Sequence, residues 1–506
     1  MMAGEKTYSG GEATGWIQVG GPGTDYELLG SCYSIGDLAK PMGDTTALVC
    51  RNQKIPMSYE VRKKLKGTPG QGTGSISAPL YRLNNLIPYL AKLGCPFNTQ
   101  IHYSECDDGT VFTAWELVKI LYNVILTNPS ETAPLVGREA PSDDVIESSD
   151  LTFDKWEFVY EATVAAQVNA VGVTGVPVTG VAYCDVPQCY SSCGAYTPGC
   201  QAWWATMQSD LASGPVVQYT LDRGANWQLP VVQPRIATDG PGIAPAVGLH
   251  AFAPICNTDR TIVFQGQTWA ANIPIAEYTD DNGATAWNVV TPAGAVAAEF
   301  FTASYMHDTA HIWVASNLGW VYFSDDFGLT YAQQVTPAGI AVTVINDIRF
   351  YNDQIGAIVG AGNAINITLD GGNTWATPAN TPGAAALNCV SFVNQDYMLV
   401  GDAAGVLYAS FDRGATPWVA VGHAGAGVGA IMDIDFYDDQ IGVMVRETAA
   451  ALGSIHRTID GGNTWIAQAT PVNIGIDAVR TCDPNFAIMG GTIAGPLPFL
   501  AGMSAQ

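Results

Sequence analysis

With 506 residues, 48% of them apolar and 10% aromatic, the chain exceeds one ordinary domain and can bury two substantial cores, which excludes a disordered protein. Its longest apolar runs are broken by Gly, Pro or Asn before they reach bilayer-spanning length, so no membrane insertion is expected. The net charge of −25 is uneven: residues 1–160 hold 13 Lys+Arg against 19 Asp+Glu, which leaves 21 − 13 = 8 against 46 − 19 = 27 for residues 161–506, and no lysine follows Lys155, a balance that argues against phosphate-backbone or anionic-lipid binding by the C-terminal part.

The opening MMAGEKTYSGG lacks the basic-then-apolar layout of a secretory signal, so first folding in the cytoplasm of the producing cell is expected. Residues 1–18 are polar and Gly-rich and read as an arm or a disordered start. Gly36–Gln53 alternates turn signals with a short apolar strand, and Thr68–Leu80 is a Gly/Ser/Pro loop running into another strand. Leu83–Leu93 has helical spacing around Pro88, which predicts one short helix beginning or kinked there. Thr99–Glu105 and Val111–Thr127 read as strands, although the first half of the second also fits a helix. Glu139–Asp154 is acidic and turn-rich, and Trp156–Val164 reads as the strand that closes a β-rich domain over residues 1–164. Residues 165–179 are small and form either a linker or the closing strand of a second domain over residues 180–506.

That second domain carries five copies of one hairpin pattern, Ser/Thr-x-Asp-x-Gly-x-Thr-(x)-Trp, at Thr220–Trp227, Ser324–Tyr331, Thr368–Trp375, Ser410–Trp418 and Thr458–Trp465, and a sixth, looser one at Thr279–Trp287. The aspartate accepts hydrogen bonds within its own turn, the glycine supplies a positive φ, and the closing aromatic folds back as an apolar plug. The plugs are Trp227, Trp287, Tyr331, Trp375, Trp418 and Trp465. The aspartates Asp222, Asp281, Asp326, Asp370, Asp412 and Asp460 are separated by 59, 45, 44, 42 and 48 residues, a spacing that predicts a β-propeller with one blade per repeat. Ile474–Leu500 echoes the inner-strand texture of Ile345–Val359 and Ile431–Val445 without a box, which makes seven blades if a strand near 165–179 completes the last one.

The pattern resembles the Asp-box, or BNR, repeat of sialidases and of photosystem II stability/assembly factor-like proteins, where the box is the turn between the third and fourth strands of a blade. That resemblance implies a structural role for the box residues, with calcium binding as the lesser alternative, and no cofactor. Sialidases bind the substrate carboxylate with three arginines and use a Tyr/Glu nucleophile pair with an Asp acid/base. Arg235, Arg260, Arg349, Arg446, Arg457 and Arg480 are the arginines available beyond the boxes, and Glu277, Glu299 and Glu447 are the only glutamates after Glu161. Pro234-Arg235-Ile236-Ala237 is only a faint echo of the family's Phe/Tyr-Arg-Ile-Pro start, so the expectation is no enzyme, with a sialidase-like glycosidase kept as an alternative.

Cys184, Cys189, Cys193 and Cys200 crowd into one loop-rich stretch and read as two disulfides, a four-thiolate zinc site or reduced thiols, with disulfides the leading expectation and no metal assigned. Cys32, Cys50, Cys95, Cys106, Cys256, Cys389 and Cys482 read as scattered small apolar residues.

The layout of Gly20–Cys50 and Gly72–Tyr103, a strand-rich body with a long polar loop, one short helix and a closing strand, is similar to tail-tube proteins of tailed bacteriophages. The resemblance implies a β-sandwich or barrel and a homo-oligomer of stacked rings formed through residues 1–164, in contact with other virion proteins. The propeller would decorate the outside, a candidate binder of host surface glycans. The expected location is the virion, an extracellular particle assembled in the host cytoplasm. No sequence-specific nucleic acid is expected, and Asp107, Asp108 and Glu116 are candidate lumen carboxylates. A secreted or surface Asp-box adhesin is the alternative from a different class.

Overall fold

The computed structural model describes residues 8–18, 26–28, 34–39, 72–79, 91, 94–105, 117–132, 146–160, 162–167, 178–184, 202–207, 217–220, 224, 226–234, 252–255, 260–264, 273–281, 283–307, 310–334, 343–423, 429–447, 453–468, 474–493 and 497–505. The chain divides into two compact units, one of Met1–Gln53, Lys66–Ala162 and Ala505–Gln506, the other of Lys54–Leu65 and Thr163–Ser504.

The first unit is a single bent sheet of β1 (Tyr8–Gln18), β2 (Tyr26–Leu28), β3 (Ser34–Ala39), β4 (Gly72–Pro79), β5 (Phe97–Glu105), β6 (Leu117–Thr132), β7 (Ile146–Phe153) and β8 (Lys155–Tyr160). Its order is β2-β1-β5-β6-β7-β4-β3, with β8 also on β6. The long β6 makes the bend: Leu117–Tyr122 lies between β5 and β8, whereas Ile125–Thr132 pairs with β7. Asn123 sits at the change of partner and Asn128 in the irregularity between Thr127 and Ser130, with φ of 53° and 52°, a conformation that asparagine tolerates better than most residues. Asn123 N–H donates to Asn98 Oδ1 at 3.1 Å and its side-chain amide to Asp154 Oδ2 at 2.8 Å, which pins the corner. Val118, Ile120, Leu121, Tyr122, Val124 and Leu126 fill the core. The strand begins at Leu117, so the helical alternative for the first half of 111–127 fails over its described part, where residues 117, 118, 120 and 121 are buried on both faces as in a central strand. Of the predicted helix near Pro88 only Ala91 is described, and it is helical.

The second unit is a β-propeller. Its described residues form seven small antiparallel sheets. They are β10 (Val178–Cys184) to β12 (Val217–Thr220) through β11 (Ala202–Met207); β13 (Phe252–Ile255), β14 (Arg260–Phe264), β15 (Ala276–Thr279) and β16 (Asn288–Val290); and β17 (Phe301–Met306), β18 (Ile312–Ser316), β19 (Val321–Ser324) and β20 (Ala332–Gln333). The fourth contains β21 (Ile345–Phe350), β22 (Gly356–Gly360) and β23 (Ile365–Thr368), and the fifth β24 (Leu387–Phe392), β25 (Met398–Asp402), β26 (Leu407–Ser410) and β27 (Val419–Val421). The sixth contains β28 (Ala430–Phe436), β29 (Gly442–Glu447), β30 (Gly453–Thr458) and β31 (Ile466–Gln468). The last runs β32 (Ile474–Asp483), β33 (Phe486–Ile493), β34 (Leu497–Ala505) and then β9 (Ala162–Gln167), a strand from upstream in the chain. That strand overlaps the 165–179 segment only at 165–167, because it starts at Ala162.

The first strand of each sheet packs on the first strand of the next, and β32 packs on β10. Apolar clusters fill the junctions. Trp203, Trp227, Phe486 and Ile488 join the first sheet to the last; Phe264, Phe301 and Tyr331 join the second to the third; Trp313, Phe350 and Trp375 join the third to the fourth; Leu399, Phe436 and Trp465 join the fifth to the sixth. Most inner strands also carry a bulge near their start, at 178/180, 301/303, 345/347, 387/389, 431/433 and 476/478.

Candidate functional site

Every box starts on the last residue of a third strand, Thr220, Thr279, Ser324, Thr368, Ser410 or Thr458, so the strand register delivers its hydroxyl to the turn. That hydroxyl does two things. It accepts the glycine N–H four residues on, at 3.1 Å for Gly224, 3.0 Å for Gly283, 2.9 Å for Gly328, 2.7 Å for Gly372, 2.6 Å for Gly414 and 2.9 Å for Gly462. It also donates to the box carboxylate, at 2.7 Å in Thr279–Asp281, 2.9 Å in Ser324–Asp326 and Thr368–Asp370, 3.2 Å in Ser410–Asp412 and 2.7 Å in Thr458–Asp460. The carboxylate is gripped from the other side by the threonine four residues on, whose hydroxyl donates at 2.5 Å from Thr285, 2.6 Å from Thr330, 2.7 Å from Thr374 and 2.6 Å from Thr464. Asp222 lies outside the described residues, although Thr220, Gly224 and Trp227 of its box are within them.

Glycine is required because the box glycines have φ of 73° to 90°, and the residue before also turns left-handed at Phe327, Gly371, Arg413 and Gly461. The hydrogen bonds from Thr285 and Thr279 hold the Asp281 carboxyl down at about 2. Burial opposes the same effect at Asp326, Asp370 and Asp412, yet the hydroxyl and amide donors still leave them below the usual range. At the buried Asp460 burial wins and the carboxyl is raised. The aromatics Trp227, Trp287, Tyr331, Trp375 and Trp465 are buried in the junction cores, and Trp418 is half-buried. Each carboxylate is thus occupied by its own turn, and no group of three metal-ligating residues occurs among the described residues.

A second polar constellation lies where the inner strands converge. Arg349 of the fourth sheet reaches Asp433 of the sixth at 3.3 Å, and Arg480 of the last reaches the other oxygen of Asp433 at 2.6 Å. Asp433 also accepts Val479 N–H at 3.0 Å, and Asp347 accepts Val390 N–H at 3.0 Å, so each carboxylate ties one inner strand to a neighbour. Burial raises the Asp347 carboxyl, against the pull of Arg349. Burial, with Asp433 and Asp347 nearby, drives the Cys389 thiol well up, so this free cysteine is not an activated nucleophile.

The arginines do not converge as a carboxylate-binding triad among the described residues. Arg349 is paired with Asp347 at 3.5 Å and with Asp433, which also pairs with Arg480, the buried Arg457 donates to Pro484 O and to Asn485 Oδ1, and Arg446 donates to Gly429 O at 3.3 Å. Arg235 lies outside the described residues, as does the Arg260 side chain. A Tyr/Glu pair does form: Tyr322 Oη donates to Glu299 at 2.8 Å. Both residues are fully buried, and burial, followed by the Glu299 charge, raises the Tyr322 phenol, the reverse of what a nucleophile needs.

Cys189, Cys193 and Cys200 lie outside the described residues, as do the Cys184 side chain and Asp107, Asp108 and Glu116. Cys482 corrects the sequence reading: it is buried as expected of a small apolar residue, but it is disulfide-bonded, to a cysteine beyond the described side chains. Cys95 and Cys389 are not disulfide-bonded.

These features define a BNR/Asp-box β-propeller. A family model described as photosynthesis system II assembly factor YCF48 matches residues 338–485, the fourth to sixth sheets and the start of the last. No curated protein matches. Among solved structures, YCF48 bound to a D1 peptide is 12% identical with a TM-score of 0.48, covering 68% of this chain and 95% of that one. YCF48 from Cyanidioschyzon merolae is 13% identical with a TM-score of 0.47, covering 68% and 98%. A GH74 xyloglucanase from Xanthomonas campestris is 14% identical with a TM-score of 0.48, covering 68% and 54%.

Proposed function

We propose that this chain is a non-catalytic virion structural protein, a tail-tube subunit of a tailed phage, built from a tail-tube-like assembly domain over residues 1–164 and an externally displayed seven-bladed Asp-box propeller. The observation that carries the reading is the contrast in sheet edges and charge between the two parts. In the first unit the described edge strands β2, β3 and β8 each have a single neighbour, which leaves backbone donors and acceptors for a second copy. All the lysines of the chain also lie at or before Lys155, within this domain. The propeller residues carry the excess of carboxylates, suited to a solvent-facing appendage that does not hold nucleic acid. Subunits associate as stacked rings through residues 1–164 in contact with other virion proteins, assembled in the host cytoplasm and carried on the extracellular particle, and the propeller offers its surface to host glycans.

Negative-stain imaging and light scattering of the purified full-length chain test this. Rings or tubes with peripheral discs are expected, and their loss on mutation within β2 or β3. A full-length chain that stays a monomer at milligram concentrations while binding glycans overturns the tail-tube reading in favour of an adhesin, and turnover of a glycoside overturns the non-catalytic one.

A further inference from the structure

Three consecutive inner strands use their bulge residue to clasp the next sheet. Thr302 Oγ1 donates to Ile345 O, Asn346 Nδ2 to Leu387 O at 2.7 Å, and Asn388 Nδ2 to Ile431 O at 3.0 Å. Each acceptor is the carbonyl of the residue just before the bulge in the following inner strand. The device needs a donor at that position. β28 has Met432 there, which has none, and this junction is held instead by Asp433 and by Asp435, whose carboxylate accepts Thr481 N–H at 2.7 Å. In β32 the position is Asp477, and the inner strand that follows around the ring is β10, with Val178 just before its bulge.

A carboxylate cannot donate to a carbonyl, but a carboxylic acid can. The surroundings of Asp477 favour the acid. Burial first, and the Glu447 charge second, push it up to about 7, and burial also raises Glu447 itself. The other charged groups on packed strands are engaged elsewhere. Asp433 of β28 is paired with Arg349 and Arg480, and Arg446 of β29 donates to Gly429 O. On β30, Arg457 donates to Pro484 O, and His456, held neutral by burial, is lowered to about 4 and packs on His423. The sequences of β10, β33 and β34 hold no charged residue, only Tyr183 and Cys184 as titratable groups.

We propose that Asp477 is a proton-dependent clasp at the closure of the ring: as the acid it donates to the Val178 carbonyl and locks the last sheet to the first, and as the carboxylate it releases that junction. The folded state binds the proton more tightly than a free aspartate. The stabilisation is therefore complete below about pH 4, falls about tenfold per pH unit in the closing equilibrium, and is spent above about pH 7.

Hydrogen exchange of the Val178–Cys184 segment in the full chain, corrected for intrinsic rates and followed from pH 5.5 to 8.5, tests this. In the wild type, protection should fall about tenfold per unit up to pH 7 and then level off. Asp477→Asn installs the amide already used at 346 and 388 and should keep protection high throughout. Glu447→Gln should move the fall to lower pH. A pH-independent wild type, or an Asp477→Asn profile that falls like the wild type, overturns the proposal. If Asp477→Asn fails to fold, an unshifted Glu447→Gln profile overturns it instead.

Discussion

Two box tryptophans provide a controlled comparison of what a buried indole N–H contributes. Trp375 and Trp465 are 7% and 5% exposed, and each meets a phenylalanine edge-on, Phe350 at 6.0 Å and 78° and Phe436 at 5.9 Å and 83°. They differ at one atom. Trp465 Nε1 donates to Gly462 O at 2.9 Å, whereas Trp375 Nε1 is buried with no acceptor among the described residues. Replacing either by phenylalanine removes about 40 Å³ of side chain, which at ~24 cal/mol per Å³ of residual cavity costs about 1 kcal/mol. Trp465→Phe also loses a hydrogen bond and strands the Gly462 carbonyl, for a total of about 2 to 3 kcal/mol. Trp375→Phe instead removes an unsatisfied buried donor, a gain of about 1 kcal/mol that offsets the cavity and leaves a change near zero. Urea unfolding of both variants in the full chain, followed by near-ultraviolet circular dichroism, measures the difference, provided the slope of the transition is unchanged. Equal losses, or a larger loss for Trp375→Phe, would refute the reasoning and show that the Trp375 indole has a partner.

The box carboxylates should set the acid limb of stability. Asp281 is held down at about 2 by its hydrogen bonds, so its contribution is present above the unfolded value near 4 and is lost as pH falls towards 2; Asp281→Asn should flatten that part of a melting-temperature profile, and an unchanged profile would sink the idea. Non-reduced peptide mapping should recover Cys482 cross-linked to another cysteine, and Cys95 and Cys389 outside any disulfide; a Cys482 recovered unlinked would refute its assignment, and stoichiometric zinc in the Cys184–Cys200 stretch would refute the disulfides expected there.

The boxes were legible because repetition exposes them. Six chance matches to Asp-x-Gly-x-x-(x)-Trp/Tyr would not recur at near-constant spacing, and each residue has a local job that needs no knowledge of the rest of the fold. The opening Ser/Thr is the hub, since it binds the glycine N–H and the carboxylate together, as Thr368 does to Gly372 and Asp370. Hydroxyls were hard to weigh in the sequence, because threonine is also what a strand end favours on propensity alone. The Arg349–Asp433–Arg480 network left no local signal, because its members come from three sheets and each reads in isolation as a charge on an alternating strand. The Cys482 bridge was illegible for the same reason, since pairing is a property of the fold and not of spacing.

The network also changes what the propeller's charge means. Asp281, Asp326, Asp370, Asp412 and Asp460 are each gripped by two hydroxyls or by a hydroxyl and an amide, and Asp347, Asp433 and Asp435 tie one inner strand to another. These eight residues belong to the 46 − 19 = 27 acidic residues of 161–506, so part of the formal excess is structural. Asp433 is cancelled outright by the two guanidinium groups it joins, and burial moves Asp347 towards its neutral form. The remainder still outnumbers the eight arginines of that region, and although some of it, such as the buried Glu277, Glu299 and Asp402, also lies inside the fold, its exposed carboxylates are what a partner or a phosphate backbone would meet. A negatively charged region therefore follows from the sequence even after the structural carboxylates are set aside, but its field is weaker than the formal charge implies.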